Sequence, residues 1–170
     1  MTETDDANEK LWALIEDMRI GMLITRDGDL LRSRPMLANL DRPGKRLWFF
    51  INRNAPKTEE IENQPSVNIS FADAINGHYV SLSGRARIVA DREKAEQYWS
   101  LEAQAWFPEG LDDSDLRLLD VDIRQAEYWD RTTNSMRATL ELTQAAVTGE
   151  APDLGENKKL SGAGLAREGR

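Results

Sequence analysis

The sequence predicts a mainly β protein, a small closed barrel of about six antiparallel strands with flanking helices. Short stretches of strict alternation recur, notably at 67–71 and 80–88, where the face opposite the apolar set carries Tyr79, Ser81, Ser83, Arg85 and Arg87. Tight-turn signals, Asp27-Gly28 and Asp41-Arg42-Pro43-Gly44, separate the early stretches. Strands this short leave unpaired edges unless the sheet closes on itself.

The elements follow in order. Residues 5–18 place Leu11, Leu14, Ile15 and Met18 on one helix face. A short apolar strand spans 21–25, a second covers 30–40 and a third 46–51. Pro56 suits the first position of a short helix that stops near Gln64-Pro65. The alternating strands 67–71 and 80–88 come next, and Gly84 inside the latter signals a bulge or a close backbone approach. Asp91 caps a helix over 92–105, and a loop over 108–115 leads into a long last strand of the main sheet, 116–129. Residues 133–142 give no single pattern, while 143–148 read as a helical turn ended by Gly149. One domain is expected over 1–160, with 161–170 as a flexible tail.

Composition excludes several chemistries. The chain of 170 residues is 40% hydrophobic and 31% charged, a balance typical of a globular domain. It has no cysteine and a single histidine, His78, which removes thiolate catalysis, sulfur-based zinc sites and His-pair metal motifs. A net charge of −8 argues against non-specific nucleic-acid binding, and no apolar run is long enough to span a bilayer. The first ten residues are acidic and lack the apolar core of a signal peptide, so a cytoplasmic setting is expected.

Three separated stretches suit a flat, phosphorylated ligand. Arg32, Ser33, Arg34, Pro35 and Met36 form the first; Phe50, Ile51 and Asn52 lead into Lys57 and Thr58 in the second; Trp106 with Phe107, Pro108 and Gly110 forms the third. Lys57 and Thr58 sit where a strand ends and a helix begins, and a helix N-terminus offers unpaired N–H groups to an anion. Arg32 and Arg34 share one strand face, so with Lys57 they could cradle a phosphate. The alternative is that Lys57 pairs with the glutamates at 59–62 and the arginines are solvated. Trp106, in a loop off any apolar stripe, could wall a planar ring or simply close a helix end.

The succession Arg34-Pro35-Met36, Trp48-Phe49-Phe50, Lys57-Thr58, Ser83-Gly84-Arg85-Ala86, Trp106-Phe107-Pro108 and Tyr128-Trp129-Asp130 resembles the general stress protein 26 family. That family is a branch of the pyridoxamine 5′-phosphate oxidase-like FMN-binding split barrels. The resemblance implies a homodimer with a flavin nucleotide (FMN, with FAD also admissible) at the subunit interface. Carried over, Arg34 and Lys57 meet the phosphate beside Ser33 and Thr58, and Pro35, Met36, Phe50, Ile51 and Asn52 line the ring. Trp106 would come from the second subunit.

Vitamin B6 oxidation is disfavoured, because the C-terminal Arg and His pair of those oxidases is missing and no histidine follows His78. The remaining functions are a flavin-dependent oxidoreductase fed by a reduced nicotinamide and a non-catalytic flavin-binding stress protein. In the first, the flavin supplies the chemistry and the protein supplies position.

Overall fold

The computed structural model describes residues 3–131 and 156–161, together with 146, 148 and 149. Helix α1 (Glu3–Met18) is followed by strands β1 (Ile20–Asp27), β2 (Leu30–Leu37), β3 (Asn39–Asp41) and β4 (Arg46–Asn52). Helix α2 (Pro56–Asn63), β5 (Ser66–Asp73) and β6 (His78–Val89) come next. Two short helices, α3 (Arg92–Tyr98) and α4 (Leu101–Trp106), and a 3-10 turn at Gly110–Asp112 precede β7 (Leu116–Asp130), and β8 is Glu156–Ser161. The expected reading of 133–142 falls outside the described residues, as does the expected tail at 161–170 apart from Ser161, which ends β8. Ala146 and Thr148 are helical, and Gly149 takes a φ of 74°.

All pairings are antiparallel, and the strand order is β2-β1-β5-β6-β7-β4-β3, with β8 added to β7. The mainly β, helix-flanked class is therefore as expected, but two features differ. Among the described residues the sheet has eight strands rather than six, because the expected second strand breaks at Ala38 and β8 was not anticipated. The sheet is also not closed by hydrogen bonds: β2 and β4 approach one another without pairing, which leaves a split.

Alternation assigns each face of the sheet. Leu23, Ile69, Phe71, Val80, Leu82, Val121 and Ile123 point to one side, where Leu11, Trp12 and Ile15 of α1 cover them. Strand β4 is buried on both faces, which explains its unbroken apolar run. Leu47, Phe49 and Ile51 join that core, while Trp48 packs with Ala95, Phe107, Leu116 and Leu118 in a second cluster. The second cluster seats α3 and Phe107, the residue after α4, against β4. Phe50 meets Trp99 edge-on at a centroid distance of 5.5 Å and Phe107 at 6.4 Å.

The single helix expected over 92–105 is two. Asp91 caps the first by accepting from the Lys94 N–H, and Ser100 caps the second by accepting from the Ala103 N–H. Gly84 marks the bulge in β6, where the register against β7 shifts between Ser83 and Gly84. A Cβ there would collide with the Asp122 carbonyl oxygen, so only glycine lets the strands close up.

Candidate functional site

The split between β2 and β4 opens into a cavity of about 660 Å³, within the usual range of roughly 300–1,000 Å³ for small-molecule sites. Pro35, Met36 and Leu37 form one wall and Phe50, Ile51 and Asn52 the opposite one. Lys57 enters from the first turn of α2, and Ala103, Trp106 and Phe107 enter from α4 and the residue after it. The surface is predominantly apolar, with Lys57 and the Arg19–Glu102 pair as its charged groups.

Of the residues singled out from sequence, Pro35, Met36, Phe50, Ile51, Asn52, Lys57 and Trp106 line this cavity; Ser33, Arg34 and Thr58 do not. Thr58 is buried and donates its hydroxyl to the Asn52 carbonyl at 3.1 Å, closing the strand-to-helix turn. Ser33 lies exposed on β2. Asn52 spends its side-chain oxygen on the Asn54 N–H at 2.8 Å, leaving its amide NH₂ group.

The two arginines of the expected cradle are both engaged with one carboxylate. Arg34 Nη2 and Arg32 Nη1 both donate to the buried carboxylate of Glu60, at 2.8 and 2.7 Å, and Thr25 adds a hydroxyl at 2.5 Å. Neither the phosphate cradle nor the solvated alternative anticipated this pairing across β2 and α2. Burial alone would raise the Glu60 carboxyl, but the hydrogen bonds from Thr25 and Arg34 and the two arginine charges outweigh it and hold it below its ordinary value.

Of the two cations lining the cavity, Arg19 is paired with Glu102 and Lys57 is not. Among the described residues no carboxylate lies within ion-pair distance of its ammonium, which also removes the expected alternative of a pair with the glutamates at 59–62. It is half-buried, and that burial pushes its pKa down; the Arg34 charge adds to the effect and Glu60 opposes it. No side chain caps α2, whose N-cap is Ala55 and whose first helical residue is Pro56. An apolar cavity thus meets an uncapped helix start and an unneutralised ammonium at one end.

Trp106 is not in a loop: it is the last residue of α4, at 83% exposure, so its indole stands at the cavity mouth rather than in the core. Within one chain it lines the same cavity as Lys57. Sequence reading missed Arg19 and Glu102, which also line the cavity. Arg19 has a φ of 56° where α1 hands over to β1, a left-handed position that glycine favours. Its N–H donates to Ile15 O at 2.8 Å and its carbonyl accepts from Ala38 at 2.9 Å, while its guanidinium sits 3.8 Å from Glu102. No sequence motif marks these two positions.

An open antiparallel sheet whose split holds a cation-ended apolar cavity defines a class, and comparison places the chain within it: it belongs to the pyridoxamine 5′-phosphate oxidase-like family, whose pattern matches residues 6–153. It is 30% identical over 141 residues to general stress protein 26 of Bacillus subtilis, covering 77% of this chain and 96% of that one. It is 26% identical over 168 residues to protein bli-3 of Neurospora crassa, covering 92% and 80%. Among solved structures, one described as a general stress protein 26 from Jannaschia sp. CCS1 superposes with a TM-score of 0.73 at 29% identity, covering 93% and 99%. A general stress FMN/FAD binding protein from Xanthomonas citri superposes at 0.69 with 24% identity, covering 76% and 92%, and so shares the fold.

Proposed function

We propose that the split cavity holds FMN and that the protein is a flavin-dependent oxidoreductase passing electrons from a reduced nicotinamide to a small acceptor. One observation carries the reading: a mainly apolar cavity is lined both by aromatic side chains and by a half-buried ammonium that, among the described residues, has no carboxylate partner. An anion is the natural complement to that group, and a flat ring is the natural complement to Met36, Phe50 and Trp106.

Bound there, FMN would supply hydride and electron transfer. The chain's own residues do the rest. Lys57 and the start of α2 hold the phosphate. Arg34 acts from behind, its charge lowering the pKa of Lys57 while Glu60 keeps it off the ligand. Met36, Ile51 and Phe107 exclude water, and the Asn52 amide can donate to a polar ring edge. His78 lines a different cavity with Leu14 and Asp73, so it is assigned no part in the chemistry.

A second copy of the chain is the partner in this reading. Register puts Ile20 opposite Leu37, Met22 opposite Pro35 and Ile24 opposite Ser33, so these side chains share one sheet face. Ile20 is 58% and Met22 40% exposed, and the patch is continuous with the cavity through Ile20, Pro35 and Leu37. A homodimer packed on that face would bury the patch and cover the cavity mouth at once.

The test is anaerobic reduction. FMN-loaded protein is expected to lose its yellow absorbance when NADPH is added and to regain it with air. Colour that persists under NADPH would reduce the function to flavin binding alone, and absence of flavin uptake would remove the reading.

A further inference from the structure

A second cavity, of about 510 Å³, shares no lining residue with the first. It opens on β4, β6 and β7, where register arranges charges in cross-strand rows. Arg46 on β4 and Arg85 on β6 both face Asp122 of β7, and Arg87 of β6 lies opposite Asp120. With Arg124, four guanidiniums among the described residues line the cavity against two carboxylates, those of Asp122 and Glu62. In a chain of net charge −8 this is a local reversal of sign.

Asp120 is fully buried and does not line the cavity. Its Oδ1 accepts from Arg46 Nη1 and its Oδ2 from Arg87 Nε, each at 2.6 Å. A lone carboxylate buried there would be costly, and the guanidiniums offset that cost. In return Asp120 stands behind them and fixes their positions, while each keeps most of its N–H donors. Arg124 meets Asp122 at 2.7 Å, whereas Arg85 has no carboxylate partner among the described residues.

We propose that this cleft is a binding site for a phosphate-bearing anion with two adjacent charged groups, of which pyrophosphate is the simplest form. The arginine fork matches phosphate oxygens. Strands β4 and β6 flank β7, so their arginines arise from backbones about 10 Å apart, a gap that a diphosphate spans better than one small anion. Among the described residues no aromatic side chain lines the cleft, so none of them stacks on a base or a flavin ring there.

Calorimetric titration of the flavin-free full chain with inorganic pyrophosphate tests this. Wild type is expected to bind; Arg85→Ala and Arg124→Ala, both at exposed positions and to be checked for folding by circular dichroism, are expected to weaken binding about tenfold or more each. Lys57→Ala is expected to bind as wild type does. Three outcomes overturn the proposal: no heat at millimolar pyrophosphate, full affinity in both arginine variants, or loss of binding in Lys57→Ala, which would move the anion to the first cavity.

Discussion

Replacing Lys57 by alanine separates the phosphate from the ring. The ammonium is already half-buried and has no carboxylate partner among the described residues, so part of its desolvation cost is present before any ligand arrives. A charge-assisted hydrogen bond to phosphate then contributes about 1.5–3 kcal/mol, or roughly a 10- to 150-fold change in Kd. Flavin fluorescence quenching measures this directly. The variant is expected to lose that factor toward FMN and to bind riboflavin, which has the ring without the phosphate, as tightly as wild type does. Because the cation has no carboxylate partner among the described residues, urea unfolding of the ligand-free variant should show no loss of stability. Unchanged FMN affinity, or an equal loss toward riboflavin, would refute the assignment of Lys57 to the phosphate.

Glu60→Gln leaves Arg32 and Arg34 without their shared carboxylate; urea unfolding should show a loss of about 2–3 kcal/mol, below the full value for a buried pair because Arg32 is half-exposed. Since Glu60 is held below its ordinary value in the fold, its contribution is complete above the usual carboxylate range and fades as pH falls through the lowered folded value. The wild type should therefore lose more stability on acidification than Glu60→Gln does. Gly84→Ala drives a Cβ into the Asp122 carbonyl and to 3.1 Å from Val121 Cγ1, which should cost about 1–3 kcal/mol in the same assay. Arg19→Gly relieves the left-handed backbone and gives up only a loose, exposed ion pair, so it should raise stability by about 1 kcal/mol.

Much of the fold is legible because it depends on local pattern. Alternation marks β5 to β7, Pro56 marks the start of α2, and Gly84 marks the bulge. Missed features depend on contacts far apart in the chain. Nothing near Arg34 announces that Glu60, 26 residues on, will claim it, and the same pairing is what leaves Lys57 facing the cavity. The break between α3 and α4 had a local sign, Ser100 three residues before Ala103, which the continuing helical composition masked. Closure of the sheet could not be read from strand count, because β2 and β4 approach without pairing. Arg19 and Glu102 reach the cavity only through the packing of α4 beside the α1–β1 junction, so no spacing in the sequence links them.

The most direct measurement is a crystal structure of the protein grown with saturating FMN. The expected result is phosphate density within hydrogen-bond distance of Lys57 and the isoalloxazine lying between Met36 and Phe50 with Trp106 at its edge. An empty split under those conditions, or flavin bound elsewhere on the chain, would contradict it.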